Sequence, residues 1–509
     1  MEILKEILSF VTSKSDKAKV FPELIEDDIA STSLAGRFLN GMANETYAND
    51  EDAAKDLYGT DAGDQRFRTL KSRTYERLIR SVLFIKVDQP EHSEYLHYYY
   101  KCMSGLVAAQ LLMRCASRRA GYAIACKTLT VAQKYEFTDI CLPLAVLLRE
   151  SSALWSLHSQ FEVYCTKVRL YEFALVSEQE SECLLDSLRL EQNSIRLERS
   201  YYVSKHKRVL ELIRSMSLKS PSHILTLNLY RAEIAYLETI EDFQQVKRQC
   251  DFAIAYLAAN NHLSQRARHG EFLLRGIAAD IYTRKRIDST HGKECLSMLV
   301  HGGPNWFAAQ SLLFASSFQN MELENANNIY CDVISHSNFK RMDQLTIERW
   351  NLHGAYIKLA ELLKLHSPEQ SSVSNFRLTT FLNSMIMETR SKQDSNSLIV
   401  IFHAFYLLLN NRYDEAEKRI EYLNVYCTRY LKEISNSRLW LFVKATQAIP
   451  RNRGNAAGLR RAWTPALSRI KEAFSIPMPA EINELIPYDV LMEAYLRTVE
   501  EKSHISVVA

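Results

Sequence analysis

Between Pro143 and Pro221 the chain runs 77 residues without a Gly or a Pro, and its 509 residues hold only 14 Gly and 11 Pro. Average usage is roughly 7 % Gly and 5 % Pro, so both fall below half the ordinary level. The hairpins and crossovers of a sheet draw on these two residues for their turns. A chain so poor in them reads as long helices joined by short polar connections, an all-α fold.

At 509 residues the chain exceeds the size at which one core keeps growing, which predicts several domains or one elongated repeat array. Its 47 % hydrophobic and 24 % charged residues suit a protein with a buried core. Its 63 basic residues nearly balance 60 acidic ones, so no global field recruits nucleic acid or an anionic membrane, and any basic function is local. The ten cysteines, from Cys102 to Cys427, form no CxxC or metal knuckle and read as reduced thiols, mostly small core residues. The amphipathic start MEILKEILSFVTSKSDK has acids within its apolar stretch, unlike a signal peptide. The apolar run Leu398 to Leu409 is too short to span a bilayer. These features predict a cytoplasmic protein with no membrane partner.

Turn signals stand at Gln89-Pro90-Glu91, Lys219 to Ser222, His301 to Asn305, His366-Ser367-Pro368 and Pro450 to Gly458. Weaker breaks lie at Asp288 to Lys293, Ser371 to Asn375 and Ser391 to Ser397. They divide the chain into an N-terminal helical module (1–88), hairpins with long helices (89–220), a helical-hairpin array (221–450) and a C-terminal helical cap (451–509). Within the second, Leu157, Phe161, Tyr164, Val168, Tyr171 and Leu175 alternate spacings of four and three. That seam predicts a stripe packed along another helix. Neighbouring tyrosines at Tyr98 to Tyr100 cannot share one helix face, so at least one is expected outside the core.

Ile399 to Tyr426 reads as an apolar helix ending at Asn410-Asn411, then a helix opened by Arg412-Tyr413-Asp414-Glu415-Ala416 with Ala416, Ile420 and Leu423 on one face. This resembles a tetratricopeptide repeat, with Ala404 where the family usually has Gly and Leu407 where it usually has Tyr. Looser echoes fall at Gly105 to Glu136, Leu229 to Leu257, Trp306 to Ile334 and Trp350 to Leu363. The resemblance implies degenerate hairpins stacked into a solenoid, whose groove would take a partner protein or peptide.

A second resemblance lies near the N-terminus. Asn49 to Asp52 precedes a short helix over 53–58, Gly59 to Asp64 makes a turn, and Gln65 to Ser81 forms an Arg-rich helix. The order resembles the helix-turn-helix of winged-helix regulators, with Val82 to Val87 as a wing strand or the helix's buried end. Arg66, Arg73, Arg77 and Arg80 share roughly a 60° wedge of a 3.6-residue helix and are candidate nucleic-acid contacts. Alternatively the module only caps the solenoid. A further cluster, Arg451, Arg453, Arg460 and Arg461, reads as a flexible loop able to clamp an anion or an acidic partner.

No Walker loop, GxGxxG, GxSxG or HExxH occurs, and the scattered histidines make no ligand pair at helical spacing. His403, inside an apolar helix, reads as a hydrogen-bonded core residue. No catalytic residue, cofactor or metal is expected. The sequence points to a non-catalytic interaction or scaffold protein; the alternative is a ligand-responsive DNA-binding regulator using residues 50–80, and a third reading is an accessory subunit of a larger assembly with no free ligand.

Overall fold

The computed structural model describes residues 1–14, 33–44, 46–83, 94–115, 117–192, 199–283, 289–366, 372–385, 393–430, 438–453, 455–472 and 484–508. Among them the regular structure is entirely helical, so the fold is all-α. The chain divides into two compact units, Met1–Lys101 and Cys102–Ala509.

In the first unit, α1 (Glu2–Lys14), α2 (Leu34–Ala43), α3 (Asp50–Tyr58) and α4 (Gln65–Leu83) surround Leu4, Leu8, Phe38, Met42, Ala53, Leu57, Phe67 and Leu78. Phe38 meets Phe67 edge-on at 5.7 Å. Gly41 is obligatory here, because a Cβ would stand 2.0 Å from the Tyr47 ring. Asn49 caps α3 by accepting the Asp52 N–H at 3.0 Å. Gly59 ends that helix at φ 69°, a left-handed position that suits glycine.

The second unit takes in the end of α5 (Glu94–Arg114), then α6 (Arg118–Lys134), α7 (Thr138–Leu154), the 35-residue α8 (His158–Gln192) and α9 (Arg199–Lys219). Hairpins follow: α10 (His223–Ile240) with α11 (Phe243–Ala259), α12 (Arg266–Tyr282) with α13 (Ser289–Met298), and α14 (Pro304–Gln319) with α15 (Leu323–Ser335). The last are α16 (Gln344–Leu362) with α17 (Leu378–Ser384), α18 (Gln393–Leu409) with α19 (Tyr413–Tyr430), and α20 (Arg438–Thr446) with α21 (Ala456–Glu472), before a final α22 (Tyr488–Val508). Two expected breaks are corrected: α13 runs through 289–293 and α18 begins at 393, because buried Cys295, Leu398 and Ile399 hold polar flanking residues in helix. The expected turns at 89–91 and 367–368 lie outside the described residues.

Each even-numbered helix from α6 also lies against the next even-numbered one. Tyr122 donates to Gln160 at 2.6 Å between α6 and α8, and Asn228 to Ser181 at 2.8 Å between α10 and α8. Arg231 pairs with Glu271 across α10 and α12, Ser311 meets His353 across α14 and α16, and Tyr356 donates to the Leu398 carbonyl at 3.0 Å across α16 and α18. Phe405 stacks on Phe442 between α18 and α20. Hairpin therefore follows hairpin, each covering the apolar face of the one before.

One turn recurs through this stack. Glu136, Ser156, Glu241, Met321, Lys364 and Asn411 all have φ between 53° and 68°. In each case the following N–H reaches back to a carbonyl in the last helical turn: Phe137 to Ala132, Leu157 to Ser152, Asp242 to Leu237, Glu322 to Ser317, Leu365 to Ala360 and Arg412 to Leu407. This is the Schellman helix end, usually made by glycine. After four of these turns the fifth, ninth and twelfth residues form the same inward row: Cys141, Ala145 and Leu148; Val246, Cys250 and Ala253; Ala326, half-buried Tyr330 and Val333; Ala416, Ile420 and Leu423.

Candidate interaction surfaces

On α4 the inward positions Phe67, Thr74 and Leu78 turn Arg66, Arg73, Arg77 and Arg80 outward, where all four are exposed. Arg66 is engaged: its guanidinium bonds Asp64 at 2.8 Å and lies over the Tyr58 ring at 5.3 Å. Arg73 and Arg80 have no ion-pair partner among the described residues. The neighbouring α3 opens with Asp50, Glu51 and Asp52, and Lys71 of α4 is tied to Asp50 at 2.5 Å. The basic face is thus bordered by carboxylates of its own unit. Val82 and Leu83 belong to α4, and 84–87 lie outside the described residues.

The arginines of 451–461 do not form one loop. Arg460 and Arg461 stand on α21, since burial of Leu459 and Trp463 fixes that segment as helix. Arg453 bonds Asp414 at 2.8 Å and Glu417 at 2.5 Å on α19, while Arg460 bonds Glu500 on α22. Two of the four therefore staple neighbouring helices. Arg451 and Arg461 are exposed without an ion pair among the described residues.

Polar groups elsewhere are similarly spent inside the stack. Arg231 forks onto Glu271, Arg275 reaches Glu238 at 3.4 Å, and Lys247 reaches Asp251 and Asp280. His336 accepts the Asn338 N–H on Nδ1 and so donates from Nε2 to His301 Nδ1 at 3.1 Å, beside Trp306. Sequence spacing missed this pair because its members lie 35 residues apart on two turns. His403 corrects another expectation: it is half-buried with no hydrogen-bond partner among the described residues, and burial, then Arg419 and Arg412, lowers its pKa to about 4.

All ten cysteines are free. Burial raises the Cys141, Cys250 and Cys427 thiols to about 12 and Cys295 to about 11, which keeps them protonated and poorly nucleophilic. No group of three or more His, Cys, Asp or Glu among the described residues stands close enough to hold a metal. No helix among them is long and apolar enough to cross a membrane.

Among the exposed apolar residues of the second unit, two rows bear on recognition. On α8 the positions 163, 170, 174, 177 and 181 share one face, by their spacing of seven, four, three and four. From Ala174 onward this face is covered, with Ser181 bonded by Asn228 of α10. Along the other half Val163 is 53 % and Leu170 60 % exposed, with Phe173 at 50 % beside them. The cause is length: α8 has 35 residues and α10 has 18. The predicted seam lies on the other side, where Val168 is buried, Tyr171 accepts a bond from Gln133 of α6, and Tyr164 meets Cys126; Leu157 at its end is exposed.

The other open surface is a row on α5 formed by Met103, Val107 and Leu111. Its signal in the sequence is the absence of any Asp or Glu from Tyr95 to Tyr135, a local bias that net charge conceals. Tyr100 is exposed too, as the three consecutive tyrosines require. No protein family, curated protein or solved structure matches the chain at a significant level.

Proposed function

We propose that this protein is a non-catalytic interaction or scaffold protein, a tetratricopeptide-like solenoid that binds a partner protein or peptide as a regulatory or accessory subunit. The observation carrying this reading is the bare half of α8, where Val163, Leu170 and Phe173 face solvent along a lane that α10 covers farther on. Three large apolar side chains along one lane of the helix cost solvation free energy, and a partner helix continuing the line of α10 would remove it. The recurrent helix ends and inward rows support the repeat reading. At the bare half of α8, shape and apolar contact are the means of recognition.

The test is a native pull-down of the tagged full-length chain, comparing wild type with Val163→Asp/Leu170→Asp. A stoichiometric protein captured by the wild type and lost from the double variant is the expected result. Capture that is equal for both, or no stoichiometric protein at all, would remove the basis for the reading.

The second reading, a DNA-binding regulator, rests on exposed Arg73 and Arg80 on the helix after a tight turn. It requires salt-dependent duplex binding that Arg73→Glu/Arg80→Glu abolishes. The acidic opening of α3 weighs against it, because Asp50 to Asp52 would repel the same phosphates.

A further inference from the structure

From Cys102 to Tyr135 the second unit carries Arg114, Arg118, Arg119, Lys127 and Lys134 and no carboxylate. All five cations are exposed, and none has an ion-pair partner among the described residues. Elsewhere in this unit arginines are commonly paired, as Arg214, Arg231, Arg275, Arg438, Arg453 and Arg460 are. The bias therefore belongs to the α5–α6 hairpin.

The hairpin has two faces. Gly105 packs on Thr128, and Gly121 packs on the backbone of Ala109 and Met113, so α6 lies along the Gly105–Ala109–Met113 side of α5. Met103, Val107 and Leu111, spaced by four, lie on a different side and are 37 %, 51 % and 61 % exposed. Arg114 follows Leu111 by three residues and extends the same row. Arg118 and Arg119 stand in the first turn of α6, which the Gly121 contact holds against the end of α5. Two cations with no acid at a helix N-terminus oppose the helix dipole, and nothing on this hairpin offsets them. An acidic partner would.

We infer that the α5–α6 hairpin is a docking site for an acidic amphipathic helix of a partner protein. Its apolar residues, spaced by three and four, seat on Met103, Val107 and Leu111, and carboxylates at one of its ends meet Arg114, Arg118 and Arg119. The apolar row is about 12 Å long at 1.5 Å per residue, which asks for about two turns of helix, with about one more to carry the carboxylates. Charge complementarity fixes the sign of the partner. The aliphatic row favours a helix over a nucleic acid, whose phosphates would need cations along the row rather than at its end. This inference rests on the reading of the chain as a protein-binding scaffold, and adds a surface separate from that of α8.

The test measures fluorescence anisotropy of a labelled synthetic helical peptide of about 15 residues, with leucines at i, i+4 and i+8 and a glutamate cluster at one end, against the full-length chain. The expected result is binding at least about tenfold tighter than for a scrambled peptide of equal composition. Met103→Ser/Val107→Ser/Leu111→Ser loses that advantage. Arg114→Glu/Arg118→Glu/Arg119→Glu loses the acidic peptide and gains one whose glutamates are replaced by lysines. These side chains are exposed, and circular dichroism checks that both variants fold.

Equal binding of designed and scrambled peptides overturns the inference, as does binding indifferent to the serine variant. So does a wild-type dimer, by sedimentation, that the serine variant converts to monomer, since the row would then face a second copy. Binding of duplex DNA or phosphatidylserine vesicles that needs the three arginines but not the apolar row also overturns it, in favour of a polyanion surface. The pull-down on Val163 and Leu170 is read independently, so failure at α5–α6 leaves the general reading standing.

Discussion

Arg438 is 1 % exposed and binds Glu484 through two nitrogens at 2.8 and 3.0 Å, Asp489 at 2.7 Å, and the Ile470 carbonyl. Removing it strands Glu484 as a buried uncompensated charge. Arg438→Ala is expected to cost about 3–5 kcal/mol, whereas Arg453→Ala, at a solvent-screened pair, should leave stability nearly unchanged. Urea denaturation of the two variants measures the contrast, and equal losses would contradict it. Buried imidazoles set a pH dependence. Burial, then Arg268 and His262, lowers His223 to about 4, and burial with Arg349 holds His353 well below its ordinary range. A base with a depressed folded pKa stays neutral in the fold while the unfolded chain takes up its proton near 6.5. Their stabilisation is therefore complete above about pH 6.5 and is lost as pH falls toward 4, by up to about 3 kcal/mol for His223. The urea midpoint should drop between pH 7.5 and pH 5, and less steeply in His223→Asn; an identical slope in that variant would refute the assignment.

At the scale of elements, the six left-handed helix ends are built mostly from residues that dislike that conformation. Only Asn411 is of a type that visits it readily. Glu241→Gly and Met321→Gly remove a cost of about 1–2 kcal/mol, offset by about 0.5–1 kcal/mol of added unfolded-state freedom. A net gain of up to about 1.5 kcal/mol is expected in thermal melts, with a smaller gain for Asn411→Gly. Destabilisation at both Glu241 and Met321 would mean that their side chains make contacts outweighing the backbone strain. The unequal lengths of α8 and α10 are the other consequential feature, because they turn half of one helix into open surface.

At the scale of the second unit, hairpins pack on their chain neighbours, and the segment leading into α22 also returns to α14, where Gln319 donates to the Glu484 carbonyl at 3.0 Å. Trp463 is fully buried, donates to the Ala445 carbonyl at 2.8 Å and packs on Tyr495. Trp463→Ala is expected to cost about 3–5 kcal/mol and to loosen α20 to α22 first. Hydrogen exchange by mass spectrometry should show faster exchange there while α10 to α12 keep their protection. Uniform acceleration along the unit would show a single cooperative core instead.

Much of the architecture was legible in the residues themselves. Scarce Gly and Pro excluded a sheet-rich fold, the Asn49 cap and the Gly59 turn marked α3, and the spacing of Ala416, Ile420 and Leu423 marked an inward row, because backbone preference and periodicity are local properties. The matching turns at Glu136, Ser156, Glu241, Met321 and Lys364 were not legible, since a Schellman end is defined by hydrogen bonds that many residue types can make. The candidate surfaces divided in the same way. The Arg face of α4 is periodic and could be placed from spacing. The pairing of Arg453 and Arg460 with carboxylates tens of residues away, and the exposure of Val163 and Leu170 beside buried Ala174, depend on which helix lies opposite. Sequence by itself determined that this protein is a set of amphipathic helices; tertiary structure decided which apolar faces found a neighbour and which did not, because burial is a property of pairs of elements and not of either one alone.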